Sequence, residues 1–226
     1  MSNPIQYDEL SVVARNGDGL FFQGGSWKSH LIRWWTNDES SWWRRWIALA
    51  PYQHAEIVVW DSVVSKHEHD DGDDPLWTIQ KNGVRLCSWG SVDGGPRKTP
   101  LKRLVQSYNR RGGKVFWAPL MATSDCRRYW MVGVPRVECS SSEMAEYRQQ
   151  VIERANAQWG CHYPNLRQWW RTGLRNWYKD NNDTDPEGTT CYEFVARNWG
   201  LPDPTTWFGK ELAECGLVET PREIVF

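Results

Sequence analysis

HAEIVVW (residues 54–60) opens on a histidine and turns β-branched in its second half, which reads as a β-strand. Working outward, GLFFQGG (19–25) reads as a short strand stopped by paired glycines. LWTIQ (76–80) and VRLCSW (84–89) read as two further strands, and Lys81-Asn82-Gly83 between them carries the Asn-Gly signal of a hairpin turn. KVFWAPL (114–120) and RYWMVGV (128–134) add two more. Helical patterns flank this run. SSWWRRWIALAP (40–51) has a serine cap, with Trp42, Trp43, Trp46 and Ile47 at helical spacing. SSSEMAEYRQQVIERANAQWG (140–160) has serines for a cap, Met144, Tyr147, Val151 and Ala155 as an apolar stripe, and Gly160 as its end. TTCYEFVARNWG (189–200) ends at Gly200 with Pro202 just beyond. Helices on both sides of a central run of strands predict an α+β fold around an antiparallel sheet, not an alternating βαβ pattern.

The length of 226 residues suits one well-cored domain, taken as residues 1–226, and no repeat or low-complexity linker divides it. A formal net charge of -1 gives no general pull toward nucleic acid or acidic membranes, so no nucleic-acid partner is expected. The N-terminal MSNPIQYDEL lacks the basic start and apolar run of a secretory signal. No apolar stretch approaches the roughly 20 residues of a membrane span. The six cysteines (87, 126, 139, 161, 191 and 215) contain no CxxC pair, which fits a reduced, cytoplasmic protein, with release on lysis or packaging in a virion left open. The 17 tryptophans include the pairs Trp34-Trp35, Trp42-Trp43 and Trp169-Trp170; such rings build a core or line a groove or interface.

Two residues stand out chemically. Thr190 and Glu193 have capping-box spacing, which makes Thr190 the N-cap and Cys191 the first residue of a helix. At that position unpaired backbone N–H groups and the helix dipole favour a thiolate, and the same groups can receive the oxyanion of a tetrahedral intermediate. A thiol nucleophile needs a base beside it, and His54 on a rigid strand end is a natural supplier.

Asp18 in GDGLFF, the segment SWKSHLIRWWT, then HAEIVVW and finally TCYEFV together resemble the permuted NlpC-like branch of the papain fold. That branch includes YiiX-type proteins and relatives of lecithin retinol acyltransferase, and its histidine precedes its cysteine. Ser29, Ile32 and His54 match the first part of its pattern, and Cys191 and Glu193 the second. GGKVFWAPL resembles the strand after the hairpin, and GCHYPNL (160–166) the segment ahead of the nucleophile. The resemblance covers about residues 17–205. It implies an antiparallel sheet packed against the nucleophile helix, with Cys191 facing His54. It also implies acyl chemistry, in which the thiolate attacks a carbonyl, His54 protonates the leaving group and water cleaves the thioester.

The chain departs from that pattern twice. Where family members carry a polar residue that orients the imidazole, LCSWG (86–90) offers Cys87 or Ser88; Glu56, on the same strand face as His54, or Gln80 could serve instead. Tyr192 stands where the family has a small serine, and is expected to narrow the pocket. HEHDDGDDP (67–75) reads as a solvated acidic loop, so no metal or other cofactor is expected. Cys161 and His162 are neighbours that point apart, and Cys126, Cys139 and Cys215 have no partner pattern. LIRWWT, SWWRRW and RQWWRTGLRNWYKDNN (167–182) mix arginine with tryptophan, as core faces or as an aromatic, cationic rim. The leading expectation is a cysteine hydrolase, an amidase or peptidase whose substrate is a peptide, with bacterial cell-wall peptide (peptidoglycan) favoured. Two alternatives stay open: an acyltransferase or thioesterase on lipid acyl groups, and a catalytically silent scaffold docking protein partners in an assembly through its tryptophans.

Overall fold

The computed structural model describes residues 3–26, 30, 33, 51–61, 85–92, 95–125, 139–163, 189–204 and 207–226. The expected helix at 40–51, the hairpin at 81–83, the strands at 76–80 and 128–134, the acidic loop 67–75 and the segment 167–182 lie outside them. So do Ser29, Ile32, Gln80 and the paired tryptophans.

The architecture is mixed α+β. Seven strands are found among the described residues: β1 (Ile5–Gln6), β2 (Gly19–Gln23), β3 (His54–Asp61), β4 (Arg85–Val92), β5 (Gly95–Pro100), β6 (Lys114–Ala118) and β7 (Arg222–Val225). They form one sheet in the order β1-β7-β6-β2-β3-β4-β5. Every pairing is antiparallel except β1 with β7, which is parallel. Five helices accompany the described strands: α1 (Tyr7–Val13), α2 (Leu101–Arg110), α3 (Ser141–Ala157), α4 (Cys191–Asn198) and α5 (Gly209–Ala213).

Alternation along the strands builds a core on each face. Phe21, Ala55, Ile57, Val59, Cys87, Trp89 and Ala118 face one way, against Tyr147, Val151 and Ala155 of α3 and Phe194 and Val195 of α4. Leu20, Phe22, Val58, Leu86, Val115 and Trp117 face the other, against Leu10 of α1 and Leu101 and Val105 of α2. The α3 stripe read from the sequence is therefore the face it buries, with Met144 packed at its margin.

Helix starts follow the predicted chemistry. In α3 the Ser140 hydroxyl accepts from the Glu143 N–H at 3.2 Å, and the Glu143 carboxylate accepts from the Ser140 N–H at 2.7 Å. Gly160 and Gly200 follow α3 and α4 at φ +96° and +62°, the left-handed turn that releases a chain from a helix.

Several elements went unread in the sequence. GPRKTP looks like a turn, yet it forms β5; as the edge of the sheet, it tolerates prolines that a central strand would not. LKRLVQSYNR forms α2, and β1 and β7 join the two ends of the described chain through long-range pairing. The reduced reading of the cysteines also needs correction. Cys139 is disulfide-bonded, its partner lying outside the described residues, whereas Cys87, Cys161, Cys191 and Cys215 remain thiols. Spacing along the chain does not encode which cysteines the fold brings within bonding distance.

Asp18 is fully buried at the turn into β2. Its carboxylate accepts from Arg15 N–H (2.9 Å), Trp117 Nε1 (3.0 Å), Leu120 N–H (3.1 Å) and Arg148 Nη1 (2.7 Å). Removing it takes the carboxylate partner from the Arg148 guanidinium and the acceptor from the indole and a buried amide together. Asp18→Ala is expected to lower the unfolding free energy by about 3–5 kcal/mol, read from urea denaturation. A loss below about 1 kcal/mol would mean that the carboxylate is not the tie described.

Candidate active site

His54 is the first residue of β3, and Glu56 follows on the same face by strand alternation. The two side chains are 14% and 8% exposed, and His54 Nε2 lies 2.6 Å from Glu56 Oε1. The second carboxylate oxygen of Glu56 accepts a hydrogen bond from Ser88 Oγ on the adjacent β4. Ser88 is itself fully buried. The β3–β4 register pairs Ile57 with Trp89, so Gly90 comes next to Glu56 across the ladder. A Cβ on Gly90 would fall 2.3 Å from Glu56 Cγ, so glycine there leaves the room that the carboxylate occupies. This is a close-approach role for glycine in a strand.

Cys191 reaches the same place from the other side. Thr190 is the N-cap of α4: its hydroxyl accepts from Glu193 N–H at 3.2 Å, and the Glu193 carboxylate accepts from Thr190 N–H at 3.3 Å. Cys191 is thus the first helical residue, where a backbone N–H has no carbonyl four residues back to bond. The helix packs on the Ala55, Ile57 and Val59 face, whereas the His54 ring lies tilted against Phe22 of the opposite core at 5.2 Å between ring centroids. Thiol and imidazole therefore meet at the leading end of β3, where a side chain from either face can reach its neighbour.

The electrostatics are those of a charged imidazole. Burial pushes His54 down, but its attraction to the Cys191 sulfur and the Glu56 carboxylate, and the hydrogen bonds each makes with the ring, outweigh it and hold the group well above the usual histidine range. With Nε2 engaged by Glu56, Nδ1 is the nitrogen left for the sulfur.

The sequence candidates sort clearly. Cys191, His54, Glu56 and Ser88 come together. Cys87 pairs with Val59 and lies on the opposite strand face from Ser88 and Glu56, within the first core. Gln80 is outside the described residues. Tyr192 is buried, packs edge-on against Phe208 at 5.8 Å, and donates from its hydroxyl to the Tyr52 carbonyl at 3.1 Å. Cys161 stays reduced, away from this cluster, with its carbonyl against Gly95 of β5. Among the described residues no group of three or more His, Cys, Asp or Glu is arranged to hold a metal ion.

Sequence reading missed Tyr108. It sits on α2, packs on Phe22 at 5.0 Å, and its hydroxyl is bonded by the Gln53 side chain. Burial raises its pKa, and the positive charge of His54 partly offsets this. The available signal was its position in LKRLVQSYNR, where Leu101, Val105 and Tyr108 recur at helical spacing.

No protein-family model matches the chain, and no curated protein matches it either. Among solved structures, the crystal structure of the metalloprotein yiiX from Escherichia coli O157:H7 is similar over 94% of this chain and 88% of that one. The sequence identity is 14% and the TM-score 0.43.

A raised histidine pKa carries a stability signature. Its contribution is complete below the unfolded pKa of about 6.5 and is lost as pH rises through the higher folded value. The stability advantage of the native chain over His54→Gln should therefore narrow as pH rises above neutrality, measured by urea denaturation across a pH series. An advantage that stays constant or widens would show that His54 is not held charged.

Proposed function

We propose that the chain is a thiol hydrolase of the permuted papain-like kind, cleaving an amide bond in a peptide substrate, with cell-wall peptide as the favoured class. Cys191 is the nucleophile, His54 its acid–base partner, Glu56 the group that orients the imidazole, and Ser88 the residue that steers Glu56. The observation that carries this reading is the His54 ring hydrogen-bonded between Glu56 and the Cys191 sulfur.

The chemistry follows from that arrangement. The Cys191 sulfur attacks the amide carbonyl carbon, and the C=O electron pair moves onto oxygen. The N–H of Cys191 at the start of α4 faces the developing negative charge together with the positive end of the helix dipole. The His54 imidazolium donates its Nδ1 proton to the departing nitrogen, the C–N bond breaks, and an amine leaves a thioester on Cys191. Water then adds to the thioester carbonyl while His54 takes up its proton. Collapse of that intermediate releases the carboxylic acid and restores the charged pair. Throughout, Glu56 keeps the ring in one orientation through Nε2, and Ser88 keeps Glu56 from swinging away.

Two measurements test this. Alkylation of Cys191 by iodoacetamide, followed by mass spectrometry, should remain fast below neutral pH in the native chain and lose that acid-side reactivity in His54→Ala. Cleavage of a peptidoglycan-derived peptide should disappear in Cys191→Ala and fall by about 10²–10⁴ in His54→Ala. An ordinary thiol profile indifferent to His54 would sink the hydrolase reading.

A further inference from the structure

We propose that Tyr192 is a positioning residue that sets the distance between the nucleophile and its base, an inference that rests on the hydrolase reading above. Tyr192 follows Cys191 directly in α4, and its hydroxyl donates to the Tyr52 carbonyl at 3.1 Å. Tyr52 lies two residues ahead of His54, and the intervening Gln53 is fixed twice. Its N–H donates to the Phe22 carbonyl at 2.9 Å, and its side-chain carbonyl accepts from Gly24 N–H at 2.9 Å. The path from the sulfur to the imidazole is thereby closed into a ring: Cys191, Tyr192, the hydrogen bond to Tyr52, Gln53 and His54.

The site needs such a tie because its two halves come from opposite faces of the sheet. Nothing in strand pairing fixes where the first turn of α4 stands relative to the leading end of β3. The attraction between sulfur and imidazole changes slowly with distance, so by itself it tolerates sliding; a hydrogen bond from a rigid ring does not.

The surroundings are shaped to hold that ring. Gly209, the first residue of α5, lies so close that a Cβ there would come 2.8 Å from Tyr52 Cβ and 3.2 Å from Tyr192 Cε1. Phe208 packs edge-on against Tyr192, and the Tyr52 ring packs between Phe21 at 5.0 Å and Phe116 at 5.4 Å. Burial pushes the Tyr52 hydroxyl up to about 12, so it stays protonated and neutral through the working range of the pair. Among the described residues, Glu56 from β3 and Tyr108 from α2 face Cys191 and His54, while the charge of Arg33 acts on Tyr192 and that of Glu214 on Tyr52.

The test is the pH profile of Cys191 alkylation by iodoacetamide in native chain, Tyr192→Phe, His54→Ala and the double variant, each checked for folding by thermal melting. Tyr192→Phe keeps the ring and removes the bond. It should remain folded, and its alkylation rate near pH 6 should fall roughly tenfold, with the profile moving toward that of an isolated thiol. Because Tyr192 acts through the Cys–His pair, adding Tyr192→Phe to His54→Ala should change nothing further. Gly209→Ala presses on the same clamp from outside and should move the profile the same way. If Tyr192→Phe does not fold, that variant decides. A native profile in the folded variants, with His54→Ala still defective, overturns the tether and leaves the hydrolase reading standing. A native chain indifferent to His54 overturns both.

Discussion

Asp18 is the point on which the two halves of the structure are hung. Its buried carboxylate binds the turn before β2, the indole of Trp117 on β6, the backbone after β6 and the guanidinium of Arg148 on α3. A buried carboxylate is costly unless all its lone pairs are used, and here four donors use them. Arg148 is in turn spread over the Asn16 and Leu120 carbonyls. One side chain thus locks α3 onto the sheet. Because α3 packs against α4 through the first core, it also sets where the Cys191 helix stands.

A second carboxylate, Glu56, solves a different problem. A histidine at a strand end has a free torsion about its ring, and a fixed direction at Nδ1 requires that torsion to be held. Glu56 fixes it through Nε2 and is itself fixed by Ser88, while the missing Cβ of Gly90 gives it space. The chain of constraint runs across two strands and ends in the sheet ladder, so the ring inherits the rigidity of the sheet. The same carboxylate, with the sulfur, offsets the cost of burying a charged imidazole.

Sulfur and imidazole approach from opposite faces, and this shapes the rest of the site. Phe22 belongs to the second core, and the rings of both His54 and Tyr108 pack tilted against it. Tyr192 and Phe194 root α4 in the first core. Residues from α2, α4 and the sheet therefore converge on one strand end, and Tyr52 and Gln53, just ahead of β3, join them.

What the sequence determined by itself is what a few adjacent residues can decide. Thr190 and Glu193 stand three apart, so reciprocal bonds cap α4 and make Cys191 its first residue. Residues 54 and 56 stand two apart on a strand, so Glu56 was available to His54 before any packing was known. The α3 stripe, and the strands read at 19–25, 54–60, 84–89 and 114–120 and found at 19–23, 54–61, 85–92 and 114–118, likewise follow from local sequence. Tertiary structure decided the rest, because those partners depend on register and packing. Ser88 reaches Glu56 across 32 residues, Arg148 reaches Asp18 across 130, and Tyr192 reaches Tyr52 across 140. No local pattern encodes such distances. Among the candidates for orienting the histidine, the β3–β4 register brought Ser88 to Glu56 and turned Cys87 to the opposite face. Tyr108 was hidden for the same reason: its helix went unread, and its place beside His54 exists only once α2 folds onto the sheet.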